Sequence, residues 1–84
     1  MVDVTLVAVS RKADLHRATA LRDIDELPNE GDDFQVHDLG YSVRVWKVRN
    51  TPGLREVEFR ISGDDVTRLA HKKGWTTPQG GRRF

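Results

Sequence analysis

The sequence predicts a mainly β domain with one helix, arranged as a small antiparallel, partly closed barrel of five strands followed by a C-terminal α-helix. Five segments rich in β-branched and aromatic residues are separated by Pro, Gly, Asn and Asp, the residues that favour turns. A Pro-Gly pair joins the last two segments, and the stretch that follows has a helical cap and an apolar stripe. Because the chain has only 84 residues, these elements are expected to form a single domain.

The first strand is predicted over residues 2–9. Apolar and polar residues alternate at its start and are followed by the apolar run Leu6-Val7-Ala8-Val9, in which β-branched residues are frequent. We therefore expect a strand that exposes one face at its beginning and is covered on both faces later.

Residues 11–27 support two interpretations. Three apolar residues have a spacing that suits one face of a helix: Ala20, Ile24 and Leu27. A helix at about 14–27 would make the fold a four-stranded α+β domain. We favour a strand over residues 16–24 that follows a turn at 11–14, because the first strand needs a neighbour and a short turn supplies one.

The middle of the chain predicts three further strands. Pro28-Asn29-Glu30-Gly31-Asp32 breaks the chain, a short strand follows at Phe34–Val36, and residues 37–40 turn the chain again. The two remaining strands are predicted at Tyr41–Arg49 and Arg55–Ile61.

A type II turn centred on Pro52 and Gly53 would join those two strands into a hairpin, since Pro fixes the first φ and Gly accepts the positive second one. The turn sets a ladder in which oppositely charged and apolar residues face one another: Arg49–Glu56, Val48–Val57, Lys47–Glu58, Trp46–Phe59, Val45–Arg60 and Arg44–Ile61. The apolar residues of the first strand lie on two different faces: Tyr41, Val43 and Val45 on one, and Trp46 and Val48 on the other. That strand must therefore be covered on both faces or contain a β-bulge.

A C-terminal helix is predicted to begin after Ser62, whose hydroxyl can cap it, and to end at Gly74, which can adopt the left-handed conformation. Its apolar stripe consists of Val66, Leu69 and Ala70. Two lysines would occupy the last turn: Lys72 and Lys73. Trp75 would then fold back onto that turn. We predict one globular domain over residues 1–75 and a mobile basic tail over residues 76–84.

The sequence lacks the residue patterns that mark an enzyme, a metal site or a cofactor site. The chain has no cysteine, and its histidines are far apart without metal-ligand spacing: His16, His37 and His71. The adjacent carboxylates Asp32-Asp33 and Asp64-Asp65 are explained by a solvated turn and by a helix start, respectively. A nucleophile elbow and a phosphate-binding loop are also lacking. We therefore expect no enzymatic activity, no cofactor and no small-molecule substrate.

The N-terminal residues lead us to expect a cytoplasmic protein. The longest apolar run, Leu6–Val9, is far shorter than the about 20 residues of a membrane span. Asp3 stands where a signal peptide has basic residues. We therefore expect no membrane partner.

Basic and acidic residues are distributed unevenly along the chain. Residues 1–40 contain four basic and nine acidic side chains, whereas residues 41–84 contain ten basic and four acidic ones. Such asymmetry either marks a surface for nucleic acid or another acidic partner, or is neutralised when the two halves pack together.

Two clusters of basic and aromatic residues are candidate binding sites. The first is on the predicted hairpin: Arg44, Trp46 and Arg60. Aromatic stacking in a positive groove holds single-stranded nucleic acid, but a Trp46 that faces Phe59 would be part of the core instead. The second surrounds the end of the helix: Lys72, Lys73, Trp75, Arg82 and Arg83. Phosphate contacts would suit this cluster, and so would simple stabilisation of the helix end.

One segment carries a resemblance to known domains. Its residues are Leu27-Pro28-Asn29-Glu30-Gly31-Asp32, then Phe34-Gln35-Val36, Gly40-Tyr41, Val43, Val45 and Val48. This pattern resembles that of small uncharacterised bacterial β-barrel domains, which place a Pro-x-x-Gly-Asp turn before a short strand and an aromatic-x-Val strand. The resemblance implies an SH3-like barrel and carries over no functional residue. The capped helix and the basic tail depart from that pattern.

These observations predict a non-catalytic protein-interaction or regulatory accessory module. It would dock on a partner protein or on a second copy of itself, because aromatic residues together with arginine are favoured anchors of protein interfaces. The alternative is a small nucleic-acid-binding domain that uses the basic C-terminal half.

Overall fold

The computed structural model describes residues 2–11 and 17–77. They form a curled sheet that closes halfway into a barrel, with one helix packed against it. The strands are β1 (Val2–Ser10), β2 (Arg17–Ile24), β3 (Asp33–Val36), β4 (Tyr41–Thr51), β5 (Leu54–Ile61) and β6 (Trp75–Thr76). The helix, α1 (Gly63–Ala70), lies between β5 and β6 in the chain. The strand order is β3-β4-β5-β1-β2-β6. A mainly β fold with one helix is therefore confirmed.

Two features of the sheet differ from the prediction of five antiparallel strands. β1 pairs in parallel with β5, and β6 adds a sixth strand at the edge of β2. From Leu6 onward the central strand β1 is buried on both faces. It has a neighbour on each side, and the returning meander of β3, β4 and β5 supplies the second one in the parallel direction. After β5, α1 carries the chain across the sheet to β2.

Residues 17–24 form a strand, so the helical alternative for this part of the chain is wrong. β2 pairs with β1 in an antiparallel ladder that runs from Val2–Ile24 to Val9–Arg17. Ala18 and Ala20 lie buried on the inner face of this ladder. The start of the predicted strand and part of the predicted turn, residues 12–16, lie outside the described residues.

The hairpin of β4 and β5 has the predicted register only near its tip. Arg49 faces Glu56, Val48 faces Val57 and Lys47 faces Glu58. The register then shifts, and Phe59 faces Val45 instead of the predicted Trp46. The predicted pairs Val45–Arg60 and Arg44–Ile61 are therefore also wrong.

A β-bulge at Trp46 causes this shift. Val45 and Val48 both contribute to the core, although residues three apart in a regular strand point to opposite faces. One extra residue between them restores both side chains to the inner face, and Trp46 is that residue. Of the two solutions that the sequence allowed, the strand uses the bulge.

The core lies between the concave face of the sheet and α1. Its largest fully buried side chains are Phe59, Ile61, Leu69, Val4, Val45, Val57 and Val66. The Ser62 hydroxyl accepts a hydrogen bond from the Asp65 backbone N–H at 3.2 Å, as the predicted cap requires. The helix ends at Ala70, earlier than predicted, so Lys72 and Lys73 lie in the turn that follows it.

A cluster of three side chains, which we call the Asp38 cluster, ties the two ends of the sheet together. The Trp75 Nε1–H and Arg22 Nη2 both donate to Asp38 Oδ2, at 2.5 and 2.8 Å. The Arg22 guanidinium also lies 5.6 Å from the centroid of the Trp75 ring. These two hydrogen bonds, that of Trp75 foremost, hold the pKa of Asp38 below its usual value. The cluster links β2 and β6 to the turn between β3 and β4.

Candidate functional site

A cleft of about 470 Å³ opens where β4 and β5 separate. Beyond the bulge, residues 41–44 pair with β3, whereas residues 60–61 pair with β1. The two strands therefore diverge and leave a space between them. We call it the arginine cleft, and its lining residues are Arg11, Tyr41, Ser42, Val43, Arg44, Trp46, Arg60 and Ile61.

The bulge places Trp46 on the outer surface at this cleft. Its residue surface is 57% exposed, which corrects the prediction that it packs opposite Phe59 in the core. The Arg60 guanidinium lies 4.7 Å from the centroid of its ring, within the range of a cation–π contact. An aromatic ring is thus held at the cleft by an arginine on the neighbouring strand.

The charge of the cleft is positive. Arg11, Arg44 and Arg60 come from three different parts of the chain, and the backbone N–H of Arg11 donates to Ile61 O at 2.8 Å, which fixes it beside β5. Arg60 lies 3.8 Å from a Glu58 carboxylate oxygen. No carboxylate of residues 2–11 or 17–77 forms an ion pair with Arg11 or Arg44. These two side chains are therefore available to an anion.

Asp65 of α1, whose carboxylate contacts the cleft residue Tyr41, has two side-chain partners. It accepts a hydrogen bond from the Tyr41 hydroxyl and forms an ion pair with Arg68 at 3.4 Å. Burial of the hydroxyl, followed by the hydrogen bond and the charge of Asp65, raises the pKa of Tyr41 to about 12. Tyr41 thus stays neutral at physiological pH and orients the carboxylate of Asp65, whose ion-pair partner is Arg68 rather than Arg11.

The cluster predicted on the hairpin (Arg44, Trp46 and Arg60) lies together at the cleft, but the described residues of the cluster predicted at the end of the helix do not line it. Lys72 and Lys73 are exposed beyond α1 and do not line the cleft, and the charge of Lys72 acts on Asp38 instead. Trp75 is only 5% exposed and belongs to the Asp38 cluster, so it offers no surface anchor. Two further candidates lie outside the described residues: Arg82 and Arg83.

The importance of Arg11 was missed by the sequence argument. It follows the first strand directly and has no motif around it. Only the parallel pairing of β1 with β5 brings it next to Ile61 and into the cleft. No signal in the sequence predicts that pairing.

A second surface lies at the other end of the outer face. Two leucines are exposed there, Leu21 by 67% and Leu54 by 40%. They line a depression of about 290 Å³ together with Asp3, Thr5, Gly53 and Arg55. This depression shares no residue with the arginine cleft.

The described residues contain neither a cluster of metal ligands nor a helix that could cross a membrane. Residues 2–11 and 17–77 contain no group of three or more His, Cys, Asp or Glu side chains arranged to hold a metal ion. Within the same ranges, no helix has the length and apolar character needed to cross a membrane. Comparison of the chain with protein-family models, curated proteins and solved structures gave no match.

Proposed function

We propose that this chain is a non-catalytic binding module that holds nucleic acid in the arginine cleft. The observation that carries the proposal is the convergence of three arginines with an exposed tryptophan on one cleft. Guanidinium groups match the geometry of phosphate oxygens and bind them with paired hydrogen bonds. Aromatic rings in a positive groove add stacking with bases.

The position of Trp46 is the reason to favour nucleic acid over a partner protein at this cleft. The sequence predicted protein docking because aromatic residues together with arginine are favoured interface anchors, and it assigned Trp46 to the core opposite Phe59. The bulge places the ring outside and beside Arg60. A partner protein would need acidic residues placed to match both Arg11 and Arg44, whereas every nucleotide supplies one phosphate.

Two finer expectations accompany this proposal. We propose a cytoplasmic location, where a nucleic-acid ligand is present. We also propose that the turn at residues 28–32 marks an SH3-like barrel, with support from the resemblance of residues 27–48 and from the half-closed, strand-rich sheet. The functional proposal does not depend on either of them.

The salt dependence of binding tests the proposal. A fluorescently labelled oligonucleotide is titrated with the protein at 50 and 200 mM salt, and binding is followed by anisotropy. If Arg11 and Arg44 each neutralise a phosphate, the logarithm of the affinity falls with the logarithm of the salt concentration with a slope of about −1.4 to −1.8. The affinity should then fall by about 7–12-fold between the two concentrations.

Substitutions locate the site. Arg44→Ala and Arg11→Ala should each weaken binding and reduce the salt slope by about one. Arg55→Ala is the matched control, because it removes the same charge from the exposed hairpin tip, outside the cleft. The proposal fails if no oligonucleotide binds at low salt, or if Arg55→Ala weakens binding as much as Arg44→Ala does.

A protein-docking function is the second candidate, and the exposed pair Leu21 and Leu54 favours it. Light scattering over a range of protein concentrations would detect a second copy of the chain at this depression. Replacement of Leu21 by Ser should then abolish self-association and leave oligonucleotide binding unchanged. A monomer at all concentrations would exclude self-association as the use of this surface.

A further inference from the structure

We infer that the nucleic acid is single-stranded and that one unpaired base stacks on the face of Trp46 that Arg60 leaves open. This inference rests on the proposed function and goes beyond it, because arginines alone would bind the phosphates of a duplex equally well.

The first argument comes from the two faces of the Trp46 ring. Arg60 lies over one face, 4.7 Å from the centroid, and 57% of the residue surface is nevertheless exposed. Trp46 is also one of the residues that line the cleft. Bases inside a duplex are stacked on both sides and present only their edges in the grooves. Only an unpaired base can place its own face against this ring.

The second argument concerns the size of the cleft. Its volume of about 470 Å³ lies within the range of pockets that enclose small ligands, about 300–1,000 Å³. One nucleotide is a ligand of that size, and a duplex is far wider. A duplex could contact the rim arginines but could not bring a base to Trp46.

The third argument is the placement of Arg44 relative to Trp46. Both lie on β4, two residues apart, on the outer side of the strand. Their side chains therefore start about 7 Å apart along the strand. A nucleotide whose base lies on Trp46 can thus place its phosphate near Arg44, with Arg11 on the far side of the cleft.

The polar groups of the cleft predict little preference for base identity. The Tyr41 hydroxyl already donates to Asp65, which leaves the Ser42 hydroxyl and the Trp46 indole N–H as the other neutral polar groups in the lining. Stacking itself accepts every base, because each has an aromatic face. We therefore expect similar affinities for oligonucleotides of different sequence.

The fluorescence of Trp46 tests this inference directly. The chain has two tryptophans, and the other, Trp75, is buried in the Asp38 cluster. Unlabelled oligo-dT is titrated in parallel with a duplex of equal length and with an abasic single strand, which keeps the phosphates and lacks the bases. Oligo-dT should quench the exposed tryptophan and bind more tightly than either of the other two ligands.

Two substitutions separate stacking from charge. Trp46→Leu should weaken binding of oligo-dT by about 5–150-fold, the range of losses seen when a stacking ring is removed. Trp46→Phe keeps an aromatic ring and should lose less. Neither change should alter the affinity for the abasic strand. Far-UV circular dichroism confirms that both variants fold, as expected for a side chain that lies outside the core.

The outcomes distinguish the two proposals. Equal affinities for oligo-dT, duplex and abasic strand, all reduced by Arg44→Ala, would overturn the stacking inference and leave the proposed function standing. Unchanged oligo-dT affinity in Trp46→Leu would also overturn it. Failure of all three ligands to bind at low salt would overturn both proposals.

Discussion

Replacement of Asp38 by alanine should lower the free energy of unfolding by about 2–4 kcal/mol. Its carboxylate accepts from Trp75 at 2.5 Å and from Arg22 at 2.8 Å. A hydrogen bond to a charged group contributes roughly 1.5–3 kcal/mol. This full range applies to the hydrogen bond from Trp75, because Trp75 is buried. The side chains of Arg22 and Asp38 are 33% and 30% exposed, so their pair contributes only about 0.2–1 kcal/mol. Asp38→Asn keeps an acceptor and should lose about half as much.

The acid dependence of this contribution has a definite sign. The two hydrogen bonds lower the pKa of Asp38 in the folded protein below the value of 3.8 that it has when unfolded. The unfolded chain therefore binds more protons in the window between the two values, and stability rises with pH there. The contribution is present above pH 3.8 and is lost as the pH falls through the lowered value.

Urea unfolding followed by far-UV circular dichroism measures both effects. The midpoint of Asp38→Ala at pH 7 should fall with little change in the slope of the transition. The acid-induced loss of stability should be smaller in Asp38→Asn than in the natural sequence. Asp25→Asn, at an exposed position without a hydrogen bond or ion pair among the described residues, is the control. An Asp38→Ala protein as stable as the Asp25→Asn control would refute the reasoning.

Two further predictions concern Tyr41 and the glycines with positive φ. Tyr41, the single tyrosine, should ionise with a pKa of about 12, and its absorbance titration should move toward 10 in Asp65→Asn. The stability that neutral Tyr41 contributes should be lost as the pH rises from 10 to about 12. A tyrosine titration near 10 in the natural sequence would contradict this. Gly74→Ala should cost more stability than Gly53→Ala: both have positive φ, but a Cβ at Gly74 would lie 3.0 Å from Arg22 Nη1, whereas Gly53 has open space. Equal losses in urea unfolding would show that Arg22 moves without cost.

The hairpin of β4 and β5 shows which part of a strand register can be predicted from neighbouring residues alone. Pro52-Gly53 and the charge pairs predicted the register at the tip, because a turn and directly opposed side chains determine it locally. The prediction failed at Trp46, since the sequence showed that the apolar residues change face but could not choose between a bulge and a second covering layer. That choice depends on what packs against the strand.

Most of the candidate site depends on tertiary structure. Arg44, Trp46 and Arg60 could be proposed from one predicted hairpin because basic and aromatic residues alternate there. Arg11 enters the cleft only through the parallel pairing of β1 with β5, a contact between distant parts of the chain. Trp75 shows the opposite error. Its proximity to lysines suggested a surface anchor, whereas its indole N–H is satisfied in the interior by Asp38.

The bulge at Trp46 affects both the packing of β4 in the core and the shape of the arginine cleft, and deletion of Trp46 would distinguish these two effects. Without this residue Val45 would still face Phe59, Lys47 would still face Glu58 and the ladder would be regular. Because no core side chain is removed, the deletion should lower the free energy of unfolding by less than Asp38→Ala does. A regular ladder is also less bent than a bulged one, so β4 and β5 would diverge less and the cleft would narrow. Oligonucleotide binding should then be weaker than in Trp46→Leu, which keeps the bulge. If the deletion unfolds the chain instead, the bend of β4 is needed to close the half-barrel, and Trp46 is a structural requirement of the fold as well as part of the cleft.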